Sequence, residues 1–129
     1  MRAQMGTSDE TELVDAWREL VERHARATSS LERRLQHDHG LGVSEYEVLE
    51  RLAAAGKEKS RMQELAEAVH LSQSALSRVV ARLESDGLVH RGMCPHDRRG
   101  IIACLTDMGR ERYEAARPTH RAVLAETLG

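Results

Sequence analysis

The chain has 129 residues, 40% hydrophobic and 31% charged, which suffices for one domain with a real core and demands no second. Its apolar runs fall short of the roughly 18–20 residues of a membrane span, and its start lacks the charged-then-apolar order of a signal peptide, so a cytoplasmic protein without a membrane partner is expected. Cys94 and Cys104 show no paired spacing and give no disulfide framework, while the net charge of −2 conceals a basic middle: residues 57–100 hold eight Lys and Arg against six acids, residues 1–56 seven against eleven.

From Thr11 to about Gln36, the residues Leu13, Trp17, Leu20, Val21, Leu31 and Leu35 recur at helical spacing. They predict one long first helix whose stripe a small monomer struggles to cover, so a partner is expected. Ser44 and Glu47 read as a capping box opening a second helix, with Tyr46, Leu49, Leu52 and Ala53 inward and Gly56 just past its end. The segment KEKS, residues 57–60, reads as a short connection. A third helix starts near Ser60 to Gln63, buries Leu65, Ala66 and Val69, and stops at His70 and Leu71. Ser72 then caps a fourth, which runs to Asp86 with Gly87 in the left-handed position beyond it.

Next, LVHRGMCPHDRRGIIACLT predicts a strand from Leu88, a loop, and a return strand from Ile101 to Leu105, giving a hairpin with a basic tip. Thr106 caps a last helix that carries Met108, Tyr113, Ala116, Val123 and Leu124 and continues almost to Gly129.

The fourth helix has two unlike faces. Leu76, Val79, Val80 and Leu83 form an apolar arc, while Ser74, Ser77, Arg78 and Ala81 lie opposite. A face that only met water would carry long Glu and Lys side chains; small polar ones let something approach. Two helices across a tight turn, the second presenting small residues and an Arg, form a helix-turn-helix whose recognition helix fits a major groove about 12 Å wide. Gln73 and Arg78 reach base edges, Gln suiting adenine and Arg suiting guanine, while Ser74 and Ser77 permit close approach. Arg82 lies off the centre of this face, with phosphate contact and ion pairing near Glu84 or Asp86 as open alternatives. The hairpin makes the unit a winged helix, and Arg98 and Arg99 at its tip suit phosphate or a narrow minor groove. Asp97 reads as holding Arg99 or the loop, since a carboxylate repels phosphate.

The stretches MQELAEAVHLSQSALSRVVARLESDGLVHR and DRRGIIACLTDMGRERY, in this order, resemble the MarR family of bacterial transcription regulators. Asp97 and Arg99 match the family's D-x-R wing signature, and Leu105 and Thr106 its L-T helix start. The resemblance implies a homodimer held by the first and last helices, two wings astride an inverted-repeat operator in duplex DNA, and a small-molecule or redox signal that alters DNA affinity. It also suggests an effector pocket drawn from Trp17, His24, Tyr46 and Tyr113, for each of which core packing is the plain alternative. Two features depart from the family pattern: His70 stands where many members have Gly, and the chain reaches Gly129 without a further carboxy-terminal helix.

The resulting expectation is a mainly α winged helix-turn-helix with a small antiparallel β-wing, residues 1–129 forming a single domain. Its dimerisation helices span about 8–38 and 106–129, and its DNA-binding part about 44–105. The expected role is a dimeric repressor relieved by an effector; the alternative is a winged helix that docks an acidic protein without reading DNA sequence. No enzyme motif, metal or cofactor is called for: His37 and His39 lack a third partner in sequence. Cys94 beside Arg98 and Arg99 has the surroundings of a redox thiol, with an incidental thiol as the plain alternative.

Overall fold

A computed structural model describes residues 6–94 and 97–129, without the side chains of 94 and 97–99. Helix α1 (Thr7–His39) is followed by α2 (Val43–Ala54), a 3-10 turn (Gly56–Glu58), strand β1 (Lys59–Arg61), α3 (Met62–Ala68), α4 (Gln73–Ser85), β2 (Val89–Cys94), β3 (Asp97–Leu105) and α5 (Asp107–Leu128). The core gathers Leu31 and Leu35 of α1, Tyr46, Leu49 and Leu52 of α2, Leu65, the α4 arc, Leu88, Ala103, and Ala116 and Val123 of α5.

The elements follow the expected order, with differences that have local causes. The cap of α2 is not Ser44 with Glu47: the N-cap is Gly42, two residues earlier, and its N–H donates to Glu45 Oε1 at 2.9 Å. Glu32 of α1 accepts the next free amide, from Val43 at 3.1 Å, so two carboxylates share the positive end of α2. Gly56 does not supply the left-handed residue after α2; Lys57 and Glu58 do, with φ of 59° and 57°. KEKS is not merely a connection either. Lys59–Arg61 pairs antiparallel with β3, Ser60 facing Ala103, so the sheet has three strands in the order β1-β3-β2. The return strand starts at Asp97, ahead of the expected Ile101. On α5, Ala116 and Val123 are buried while Met108 is 56% exposed.

Both helices of the helix-turn-helix end in the same cap. At α3, Leu71 N–H donates to Ala66 O and His70 N–H to Glu67 O; at α4, Leu88 N–H donates to Leu83 O and Gly87 N–H to Glu84 O. Each closure needs a left-handed residue, supplied by His70 at φ 58° and Gly87 at φ 78°. The histidine therefore adopts the geometry that glycine usually fills, at a steric cost of about 1–2 kcal/mol. His70→Val should lower unfolding free energy by about 1–2 kcal/mol and His70→Gly should raise it by up to about 1 kcal/mol, read from urea midpoints. Equal midpoints for the two variants would contradict this account of the turn.

Candidate nucleic-acid interface

Ser72 fixes where α4 begins: its Oγ accepts the Ala75 N–H at 3.1 Å. From that start, Leu76, Val80 and Leu83 are fully buried and Val79 packs against the core. The same rotation leaves Gln73, Ser74, Ser77, Arg78, Ala81 and Arg82 exposed on one face. The Ser74 hydroxyl lies 3.3 Å from that of Ser72. Neither Arg78 nor Arg82 has an ion pair among the described residues. Glu84, one alternative for Arg82, is instead occupied by Arg91, accepting from its backbone N–H at 3.1 Å and lying 3.4 Å from its Nε. This contact ties the last turn of α4 to β2. The Arg98 and Arg99 side chains, with those of Cys94 and Asp97, lie outside the described residues.

The four suggested effector residues divide into two pairs. Tyr46 is fully buried, its ring 5.7 Å from that of Tyr113. Trp17 is 66% exposed on the outer half of α1, and His24 borders a separate open groove with Thr28, Glu32 and Gln36.

Around the tyrosines lies a polar cluster that sequence reading missed. Glu50 Oε2 of α2 accepts from Tyr46 Oη at 3.0 Å, Tyr113 Oη at 3.4 Å and Arg121 Nη2 at 2.6 Å. Burial pushes the Glu50 carboxyl up, but the hydrogen bonds from Arg121 and Tyr46 outweigh it and hold the group below the usual carboxylate value. Tyr46 also stacks on the buried His120 ring at 4.4 Å, and Arg121 Nη1 donates to His120 Nδ1 at 2.6 Å. Spacing gave one available signal: Tyr113, Arg117, His120 and Arg121 recur at steps of three and four on α5. A groove of about 640 Å³ opens beside this cluster, lined by Glu50, Ala53, Tyr113, Arg117 and Arg121 among others.

Because guanidinium only donates, His120 accepts at Nδ1 and is neutral. Burial, joined by the Arg121 charge, lowers its pKa from the ordinary 6.5, whereas Glu50 opposes the shift. The unfolded chain therefore takes up this proton first, and the stability due to neutral His120 is lost as pH falls below 6.5. Urea unfolding of wild type between pH 7.5 and 5.5 should show a steeper loss than His120→Gln, and parallel curves would refute the assignment.

His37 and His39 do not converge: His37 Nδ1 meets Asp38 at 2.7 Å and His39 Nε2 meets Thr119 at 2.8 Å. Among the described residues, no group of three or more His, Cys, Asp or Glu could hold a metal ion, and no helix is long and apolar enough to cross a membrane.

A recognition helix with a clear polar face, a preceding helix across a tight turn and a β-wing define a winged helix-turn-helix of the type found in transcription regulators. The profile described as "MarR family" matches residues 39–100. The chain is 31% identical over 127 residues to YkoM of Bacillus subtilis (strain 168), an uncharacterised HTH-type transcriptional regulator, covering 96% of this chain and 81% of that one. Among solved structures, it is similar to Sco3205 from Streptomyces coelicolor, a MarR family regulator in complex with DNA, with TM-score 0.85 and 35% identity over 98% of this chain and 77% of that one. AbsC from the same organism, also a MarR family regulator, gives TM-score 0.83 and 33% identity over 98% and 82%. The chain belongs to the MarR family of transcriptional regulators.

Proposed function

We propose that the chain binds duplex DNA in a sequence-specific manner as a homodimer and represses transcription until a small-molecule effector lowers its affinity. The observation that carries this reading is the α4 face: Gln73, Ser77, Arg78 and Arg82 stand exposed, with neither Arg paired among the described residues. The likeness to Sco3205, solved in complex with DNA, supports reading this face as one that meets DNA. Gln73 and Arg78 read base edges; Ser74 and Ser77 allow close approach; Arg82, with Arg98 and Arg99 of the wing, meets phosphate or the minor groove. Dimerisation is supported by Leu13, Val14, Trp17, Leu20 and Val21, all 45–66% exposed along α1. For the effector, the groove beside Tyr113, Arg117 and Arg121 is the described cavity that joins α2 to α5, so a ligand there acts on the support of the DNA-binding part.

Selection of bound sites from random duplexes at physiological salt tests the reading. The expected product is an inverted repeat with half-site centres about one turn, roughly 10 bp, apart. Arg78→Ala should relax the choice at one position in each half-site, by about 1–3 kcal/mol of discrimination. Binding without any sequence preference would overturn the proposal in favour of a protein-docking module.

A further inference from the structure

The two carbonyls that follow the recognition helix are both held by one residue at the start of α5. Thr106 Oγ1 donates to Gly87 O at 2.7 Å, and the Thr106 N–H donates to Leu88 O at 3.2 Å. The same hydroxyl accepts the Gly109 N–H at 3.0 Å, so the residue that caps α5 also grips the end of α4. Gly109 lets the two elements approach this closely. It is buried, and a Cβ there would overlap the Leu88 carbonyl oxygen and lie 2.8 Å from Leu105 Cδ1. Glu84, bound to Arg91 in β2, holds the same end of α4 from the wing side.

We infer that Thr106 and Gly109 are positioning residues that fix the angle between α4 and α5, and thereby set the spacing between half-sites that the dimer accepts. The inference rests on the dimeric DNA-binding reading above. Neither residue needs to touch DNA to act in this way. Displacing α5 by about 1 Å over its first turn of about 5.4 Å tilts it by roughly 10°, which over a helix about 33 Å long becomes about 6 Å at the far end. That is close to two base-pair steps of about 3.4 Å. A small change at this junction therefore exceeds the tolerance with which two recognition helices meet successive grooves.

The test is a panel of inverted repeats with identical half-sites and spacers changed one base pair at a time, measured with wild type, Thr106→Ser, Thr106→Val and Gly109→Ala. Wild type should show one sharp optimum, losing about tenfold affinity per base pair away from it. Thr106→Ser, which keeps the hydroxyl, should retain that optimum. Thr106→Val removes both hydroxyl bonds, and Gly109→Ala separates α5 from Leu88. Each should move the optimum by at least one base pair or flatten the profile to about threefold differences, with base preference inside each half-site unchanged. Gly109→Ala is the variant at risk of failing to fold; Thr106→Val then carries the test alone, provided that its unfolding stays cooperative. A Thr106→Val profile lowered equally at every spacer, with the optimum and sharpness of wild type, would overturn the inference and leave Thr106 a helix cap only. A flat wild-type profile would overturn the dimeric reading, and the inference with it.

Discussion

Trp17→Asp combined with Leu20→Asp should leave a folded chain that sediments as a monomer at micromolar concentration, where wild type should sediment as a dimer. The two side chains are 66% and 63% exposed and belong to no core cluster of the single chain, so circular dichroism should be unchanged. In a dimer the same substitutions bury carboxylates in apolar surroundings, a change that outweighs the roughly 1.5–3 kcal/mol per large apolar side chain gained by burial. Affinity for an inverted repeat should fall by about 10²–10⁴, the range expected when two linked half-site contacts become independent. A double variant that stays dimeric would place the interface elsewhere.

Tyr46→Ala should lower the unfolding free energy by about 3–5 kcal/mol, the range for a large aromatic removed from a core. Its ring is fully buried between Tyr113 and His120, and deletion leaves a hole where α2 meets α5. Tyr46→Phe retains the stacking and loses only the hydroxyl that donates to Glu50, so it should cost about 1 kcal/mol. Guanidinium unfolding of the two variants separates packing from hydrogen bonding. A Tyr46→Ala loss no larger than that of Tyr46→Phe would mean that the stack carries little of the stability at this junction.

Much of the scaffold was legible because its signals are local. Ser72, Gly87 and Thr106 are caps whose chemistry depends on a few neighbouring residues, and each functions in the place the pattern indicated. The two-faced pattern of α4 likewise survived folding intact. What escaped depends on contacts distant in sequence. Lys59–Arg61 has no apolar alternation and becomes a strand only by pairing with β3 more than forty residues later. The start of α2 moved because Glu32, eleven residues before Val43, reaches its amide. Of the candidate site, the exposed polar face of α4 was visible in the residue pattern, whereas the Glu50–Arg121 contact joins residues 71 apart and left only a weak periodic trace on α5.

The first described helix packs against the last. Arg23 donates to the Leu128 carbonyl, Arg34 pairs with Glu126 at 2.9 Å, and Arg112 donates to the His39 carbonyl at 3.1 Å. These contacts close loops of roughly 70–105 residues, whose entropy must be lost before the contacts can compensate for it. During synthesis α1 leaves the ribosome well ahead of α5. The winged helix between them, built on shorter-range pairings, has time to form first. Until α5 arrives, Leu31 and Leu35 lack their long-range partners, and the apolar outer half of α1 is uncovered as well. The nascent chain thus passes through a stage in which nearly the whole length of α1 is open to chaperones.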